Sequence, residues 1–402
     1  MDLSGYRTLW VTRGVPRLVI GSLLARLPTV ILAIPMSFLA KDAAGSFSWS
    51  GVVAGAYAFG TAVGAPVWAR RADRHPPGQV VFVAGLCWSA ALAALAATPD
   101  AWFRLMPVVS ALAGMMAPPV SATTRAAWAR LTTGRGLRTA YALDATTAEF
   151  LFVVGPMLGA LMVTFASPRA GLFTTAVWSA GAVWWFGRQL PAWVRPQHDR
   201  APLTVRELLV HRHRLAVIAA FALAVACFAT TSLAIVAYAD VRGDRLIAGW
   251  LEIALSIGSL VGGMVVGALP GRRPSHAWRR TALMALGIAG CALATWSPWT
   301  LGLALLGAGL FLAPTIAAMY ERLGALTPDR ARTEAFGWMN GAAMMGSALG
   351  SSIAGMVIES SGVAQAFGVA AVYMFVSAAA LVGVPPAHTD HEAPAAAVAE
   401  PG

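Results

Sequence analysis

Long apolar runs alternate with short polar intervals along almost the whole chain. Twelve such runs can be marked, at 18–40, 49–69, 80–97, 105–124, 140–165, 171–190, 215–239, 246–269, 281–296, 299–320, 335–358 and 364–384. Each is close to the length a helix needs to cross a hydrocarbon layer. Tryptophans at run ends, among them Trp184, Trp185, Trp296 and Trp299, fit belts at a membrane–water boundary. The pattern predicts an all-α membrane protein of twelve transmembrane helices. The longest polar interval, 191–214, separates six runs from six. The expected organisation is an N-terminal lobe over 1–190, a cytoplasmic linker over 191–214, a C-terminal lobe over 215–386 and a disordered Ala/Pro-rich tail over 387–402.

Composition agrees with this picture. The chain has 402 residues, 58% hydrophobic and 12% charged, with a mean hydropathy of +0.66. Soluble domains carry about 25% charged residues. A net charge of +11 suggests nucleic acid until its placement is followed. With the N-terminus inside, 23 of the 29 basic residues fall in inner segments and only Lys41, Arg104, Arg169, Arg242 and Arg245 fall in outer loops. That bias places both termini on the cytoplasmic side of the cell membrane and makes the charge a matter of topology, with no nucleic-acid partner. The first run is long and carries Arg26, so it reads as a retained helix and not a cleaved leader.

The two halves repeat. At an offset of 195, Pro119 falls on Pro314, Leu131 on Leu326, Thr132 on Thr327 and Arg135 on Arg330; at 198, Arg74 falls on Arg272. Two six-helix bundles related about the membrane normal form one of the transporter architectures. Here the chain resembles the major facilitator superfamily. The family's loop between helices two and three reads Gly, three residues, Asp, a basic residue, one residue, Gly. Asp73 and Arg74 match it, with Ala69 and Pro76 in the glycine places. The second half keeps Gly267 and Arg272 but has Gly271 at the Asp position. The resemblance implies a cytoplasmic gating role for this loop. In the fifth run, Gly155, Pro156 and Gly159 resemble the family's antiporter motif, while Ala160 departs from it. This points to the twelve-helix drug/proton antiporter type. Ordinary small-residue helix packing is the bland alternative.

Charges at membrane depth are costly, about 2.5–3.5 kcal/mol near a helix centre, and so are informative. Arg26 lies about 13 Å past Arg17 and Glu149 about 16 Å past Arg138 at 1.5 Å per residue. Equal depth on helices that are neighbours in the resembled fold predicts an Arg26–Glu149 ion pair, which a proton could open; a permanent structural pair is the alternative. Glu252 is the next candidate, for a cation or a second proton. Asp144 ranks below it, near the inner end of its helix, where solvent or Arg138 suffices. Polar stripes at helical spacing, Ser22 with Thr29, Tyr57 with Thr61, Ser256 beside Glu252, and Asn340 with Ser347, are candidate cavity walls. Each serves equally well as an interhelical hydrogen-bonding residue.

No histidine stands in an apolar run, the three cysteines are scattered, and the single lysine, Lys41, follows no glycine-rich loop. No metal, cofactor or nucleotide is expected, nor an enzyme. The expectation is a monomeric secondary transporter that exports a small hydrophobic or cationic compound against protons by alternating access. An uptake symporter or facilitator, or a non-transporting sensor or scaffold, is the alternative.

Overall fold

The computed structural model describes residues 14–131, 134–190, 211–268, 277–327 and 332–384, and these contain no β-strand. The N-terminal half begins with α1 (Val15–Ile31) and α2 (Ala33–Ala44), end to end, then α3 (Phe47–Arg74) and α4 (Pro77–Ala97). It continues with α5 (Met106–Met115), α6 (Val120–Leu131), α7 (Gly134–Phe165) and α8 (Pro168–Gln189). The C-terminal half comprises α9 (Arg212–Val241), α10 (Leu246–Ala268), α11 (Ala277–Leu293), α12 (Pro298–Gly309), α13 (Leu312–Ala325), α14 (Arg332–Ser361) and α15 (Val363–Val382). Three pairs, α1–α2, α5–α6 and α12–α13, are single rods broken in the middle, so the described helices form twelve rods. Nine stretches among the described residues are long and apolar enough to cross a membrane.

Short turns reverse the chain between most rods. Ser46 and Ser167 accept the Ser48 and Ala170 amides to start α3 and α8, and Gly45, at φ 68°, ends α2 in the left-handed region that suits glycine. Alternating direction gathers Arg74, Arg125, Arg188, Arg212, Arg280 and Arg322 at one end of the bundle. Lys41, Arg104, Arg169, Arg242 and Arg245 gather at the other. The tail, the N-terminal thirteen residues and most of the expected linker lie outside the described residues. The boundaries read from the sequence shift where polar residues extend a helix into water. Thus α7 begins at Gly134 and not at 140, and α11 covers 277–293 and not 281–296.

The breaks lie just before prolines: Pro35, Pro119 and Pro314 stand four residues after Ile31, Met115 and Leu310 and give those carbonyls no helical N–H. Pro28, inside α1, offers no N–H to the Leu24 carbonyl, and the Trp178 indole donates to that oxygen instead at 3.2 Å. Pro119 does the same to Met115, whose oxygen takes the Trp68 indole N–H at 2.8 Å. In hydrocarbon a freed carbonyl must find such a donor.

The internal repeat appears as a repeated contact. A Cβ placed on Gly60, Gly64 or Gly114 would run into the carbonyl oxygens of Ala111, Met115 or Tyr57. In the other half, Gly258, Gly262 and Gly309 meet the carbonyls of Leu306, Leu310 and Leu255. Shifting the first set by 198 in the second rod and 195 in the fourth gives the second set residue for residue. The second and fourth rods of each lobe therefore pack backbone to backbone, a distance only glycine allows.

Gly60→Val and Gly258→Val should each cost about 3 kcal/mol through overpacking against main chain, read as a large fall in melting temperature in detergent. Gly290→Ala, where a Cβ meets nothing within 4 Å, should melt with the parent.

Candidate functional site

The two lobes meet around a cavity of about 200 Å³. Thr29 of α1, Ser37 of α2, Tyr57 of α3, Ser232 of α9, Glu252 of α10, and Ser347 and Ser351 of α14 supply its polar lining. Ile34, Met36, Phe228 and Val236 give it apolar walls. Each lobe therefore contributes a wall. Glu252 is the one charged residue lining it. Its side chain is buried, and its Oε1 accepts the Ser232 hydroxyl. Among the described residues no cation lies within ion-pair distance of it. A carboxylate so placed is expensive to keep charged. Tyr57 directs its hydroxyl to the Trp88 indole, which donates to it at 3.2 Å.

Arg26 has a partner other than the one its depth suggested. Its Nη2 lies 2.7 Å from Oδ1 of Asp144, and both side chains are buried, 8% and 5% exposed. Asp144 also holds the Arg125 guanidinium, Nε to Oδ2 3.3 Å, from α6. So Asp144, ranked below Glu149 and Glu252 from sequence, bridges two arginines; the expected Arg26–Glu149 pair falls on a side chain outside the described residues. The Asp144 contact was passed over for a physical reason: depth was counted from Cα, but an arginine side chain reaches along the helix toward water. Asp144 is five residues, about 7.5 Å, nearer the arginine-rich end than Glu149.

Of the polar stripes, Thr29, Tyr57 and Ser347 reach the cavity. Ser22 and Thr61 are not among its lining residues; their hydroxyls donate to the carbonyls of Val19 and Tyr57 on their own helices. Asn340 sits apart, accepting the Tyr320 hydroxyl at 3.1 Å. Ser256 has a different task. Pro156 in α7 leaves the Phe152 carbonyl without its helical N–H, and the Ser256 hydroxyl crosses from the other lobe to donate to it at 3.0 Å.

Gly155 and Gly159 let α7 lie on the break in the first rod. Cβ atoms there would press on Val30, and on the Ile31 carbonyl and Pro35. Ala160, the departure from the motif, faces Gly249 of α10. The motif residues thus touch both the first rod and the opposite lobe. Arg74 is exposed in the last turn of α3. The side chain of Asp73, and that of Gly267's neighbourhood in α10, lie outside the described residues, as does Arg272 altogether.

At the end poor in arginine the lobes are clasped together. Lys41 meets Asp240 at 2.8 Å and Arg245 meets Asp42 at 2.7 Å. Glu359 accepts the Ser46 hydroxyl at 2.8 Å and the Phe47 amide at 2.9 Å. Beneath these bonds Gly51 and Gly55 of α3 abut the Ser351 and Ala348 carbonyls of α14. Toward the arginine-rich end that contact is lost. Cβ atoms at Gly337 and Gly341 would meet nothing within 4 Å, and Asn340 and Arg125 are exposed. Sequence reasoning missed the clasp, since its acids and bases stand at the ends of separate helices that only the lobe interface brings together.

Comparison with known proteins comes to bear on this geometry. The sequence profile of the Major Facilitator Superfamily matches residues 18–323 and 279–401. No curated protein matches the sequence. Among solved structures, a transporter of the POT family in complex with 5-aminolevulinic acid aligns over 93% of this chain and 96% of its own, with a TM-score of 0.69 and 14% identity. A mutant of the nucleoside transporter NupG aligns over 91% and 98%, TM-score 0.68, 16% identity. A bacterial homolog of the human lysosomal transporter Spinster, inward-facing and unoccupied, aligns over 91% and 94%, TM-score 0.61, 14% identity.

Removing one member of a buried ion pair strands the other. Asp144→Ala should destabilise the protein by about 3–5 kcal/mol, and the Arg26→Met/Asp144→Leu double variant should recover most of that loss, as compared by thermal melting in detergent.

Proposed function

The chain belongs to the major facilitator superfamily, a transporter and not an enzyme, and from that premise we propose that it is a proton-coupled efflux carrier of the drug/proton antiporter type. It works as a monomer in the cytoplasmic membrane with both termini inside. The observation that carries the reading is Glu252, a buried carboxylate without a cation in a cavity walled by both lobes. A cationic compound of the cavity's size can replace the proton as the charge that balances this carboxylate; a bare anion there is disfavoured by the hydrocarbon setting. Proton and substrate therefore exclude each other at one group, which is the minimum requirement for exchange.

Alternating access then needs two closures. The clasp of Lys41–Asp240, Arg245–Asp42 and Glu359 on the start of α3 seals one end. The lobes part toward the arginine-rich end, which the charge bias assigns to the cytoplasm. In this reading the conformation is open inward. Arg26–Asp144–Arg125 stands one turn along α1 from Thr29 of the cavity, so a proton taken by Asp144 frees Arg26 and links protonation to the first rod. Glu149, on the same helix, is a second proton candidate. The Ser256–Phe152 bond and the Gly155–Pro156–Gly159 segment form part of the seam that rocking opens, and Asp73 and Arg74 belong to the gate at the opposite end.

In proteoliposomes Glu252→Gln should keep substrate exchange but lose accumulation driven by a proton gradient; a variant that still accumulates removes Glu252 from coupling. The clasp is tested separately. With Ser351→Cys as reporter in a cysteine-free background, Asp42→Asn/Asp240→Asn removes about 1–2 kcal/mol of closure and should raise labelling by an impermeant maleimide by about five- to thirtyfold. An unchanged labelling rate excludes the clasp as a gate.

A further inference from the structure

A second cavity, about 390 Å³, lies outside the transport path, between the start of α4 and the end of α8. The two helices cross in contact at Gly78 and Gly187, where a Cβ on either would press on the other's carbonyl. The contact continues to Gly85 against Val183, and Phe82 and Trp184 wall the gap beside it. Arg188 lines its mouth at the arginine-rich end, with its guanidinium 3.9 Å from the centre of the Trp184 ring. No acid lines the gap and none pairs with Arg188 among the described residues. The start of α4 adds to the positive field: Pro76 gives no side-chain cap, Pro77 has no N–H, and the Gly78 amide, in the first turn, has no acceptor within its own helix. Arg74, exposed, precedes it by two residues.

The gap also continues an apolar surface. Val83 and Leu86 on α4 and Val177 on α8 are 50%, 48% and 73% exposed and run away from the mouth along the outside of the bundle. A ligand that fits needs an anionic head for Arg188 and the Gly78 amide, and a chain for the apolar stripe. We infer that this crevice is a binding site for an anionic phospholipid, with its phosphate against Arg188 and an acyl chain along α4 and α8. The guanidinium stacked on an interfacial tryptophan keeps its N–H donors directed outward to a phosphate. Transport plays no part in the inference, so it stands or falls apart from the proposed function.

The test is thermal melting of the full chain in detergent with added phosphatidylglycerol, phosphatidylcholine of the same acyl chains, or inorganic phosphate. Phosphatidylglycerol should raise the melting temperature by about 3 °C more than phosphatidylcholine, and inorganic phosphate should do nothing. Arg188→Gln should remove at least half of that difference and leave melting in phosphatidylcholine unchanged. Arg279→Gln, an exposed arginine over Trp278 at the same end, should keep the full difference. Equal shifts by the two lipids, a shift by phosphate alone, an undiminished response in Arg188→Gln, or equal loss in Arg279→Gln each overturn the site.

Discussion

A backbone carbonyl in hydrocarbon has no water to turn to, and this constraint organises the structure more than any pair of charges. Three prolines each release a carbonyl four residues upstream, and each is retrieved by a side chain from a neighbouring rod. Trp178 takes Leu24, Trp68 takes Met115, and Ser256 takes Phe152. The first two bonds lie within the N-terminal lobe and fix kinks that let its rods pack. The third crosses to the other lobe. A kink whose carbonyl is satisfied only from across the seam is a kink whose cost depends on whether the lobes are together, and so Pro156 ties helix geometry to lobe position.

The repeat makes the departures from symmetry informative. The glycine contacts of the second and fourth rods are the same in both lobes, which makes each lobe a rigid body of similar build. The buried charges are not repeated. Ala54, the counterpart of Glu252 at offset 198, also lines the cavity but carries no charge. Asp144 and Arg125 have Met339 and Tyr320 as counterparts at 195, one buried in the core and the other hydrogen-bonded to Asn340. Packing follows the twofold and chemistry breaks it. One lobe holds a buried acid with two bases, and the other holds a buried acid with a hydroxyl.

The fold was legible because hydrophobic run length and the sidedness of arginine are properties of sequence alone. Proline at 119 and 314 even marked the rods that break at equivalent places. The cavity was legible in part: Glu252, Thr29, Tyr57 and Ser347 line it. Helical spacing could not separate Ser347 from Ser22 or Thr61, since a hydroxyl on the same stripe can turn back to its own helix. The contact of Arg26 with Asp144 was missed for a related reason. Depth counted along a helix locates Cα, whereas the charge sits at the end of a long and flexible side chain. The clasp joins residues about two hundred or more positions apart, such as Asp42 with Arg245, and no local pattern announces it.

In the proposed exchange cycle, these contacts set an order on the energetics. The clasp pairs are part-exposed, so each contributes little and is reversible. The Arg26–Asp144 pair is buried, and breaking it without a substitute costs several kcal/mol. A conformational cycle that passes through the buried pair needs a proton on Asp144 to release Arg26, whereas one that opens the clasp needs only thermal fluctuation. Gating at the arginine-poor end is therefore the soft step and rearrangement around Asp144 the stiff one. Coupling follows if the stiff step is the one a proton relieves, because an empty, unprotonated carrier would open its clasp readily yet fail to complete the turn.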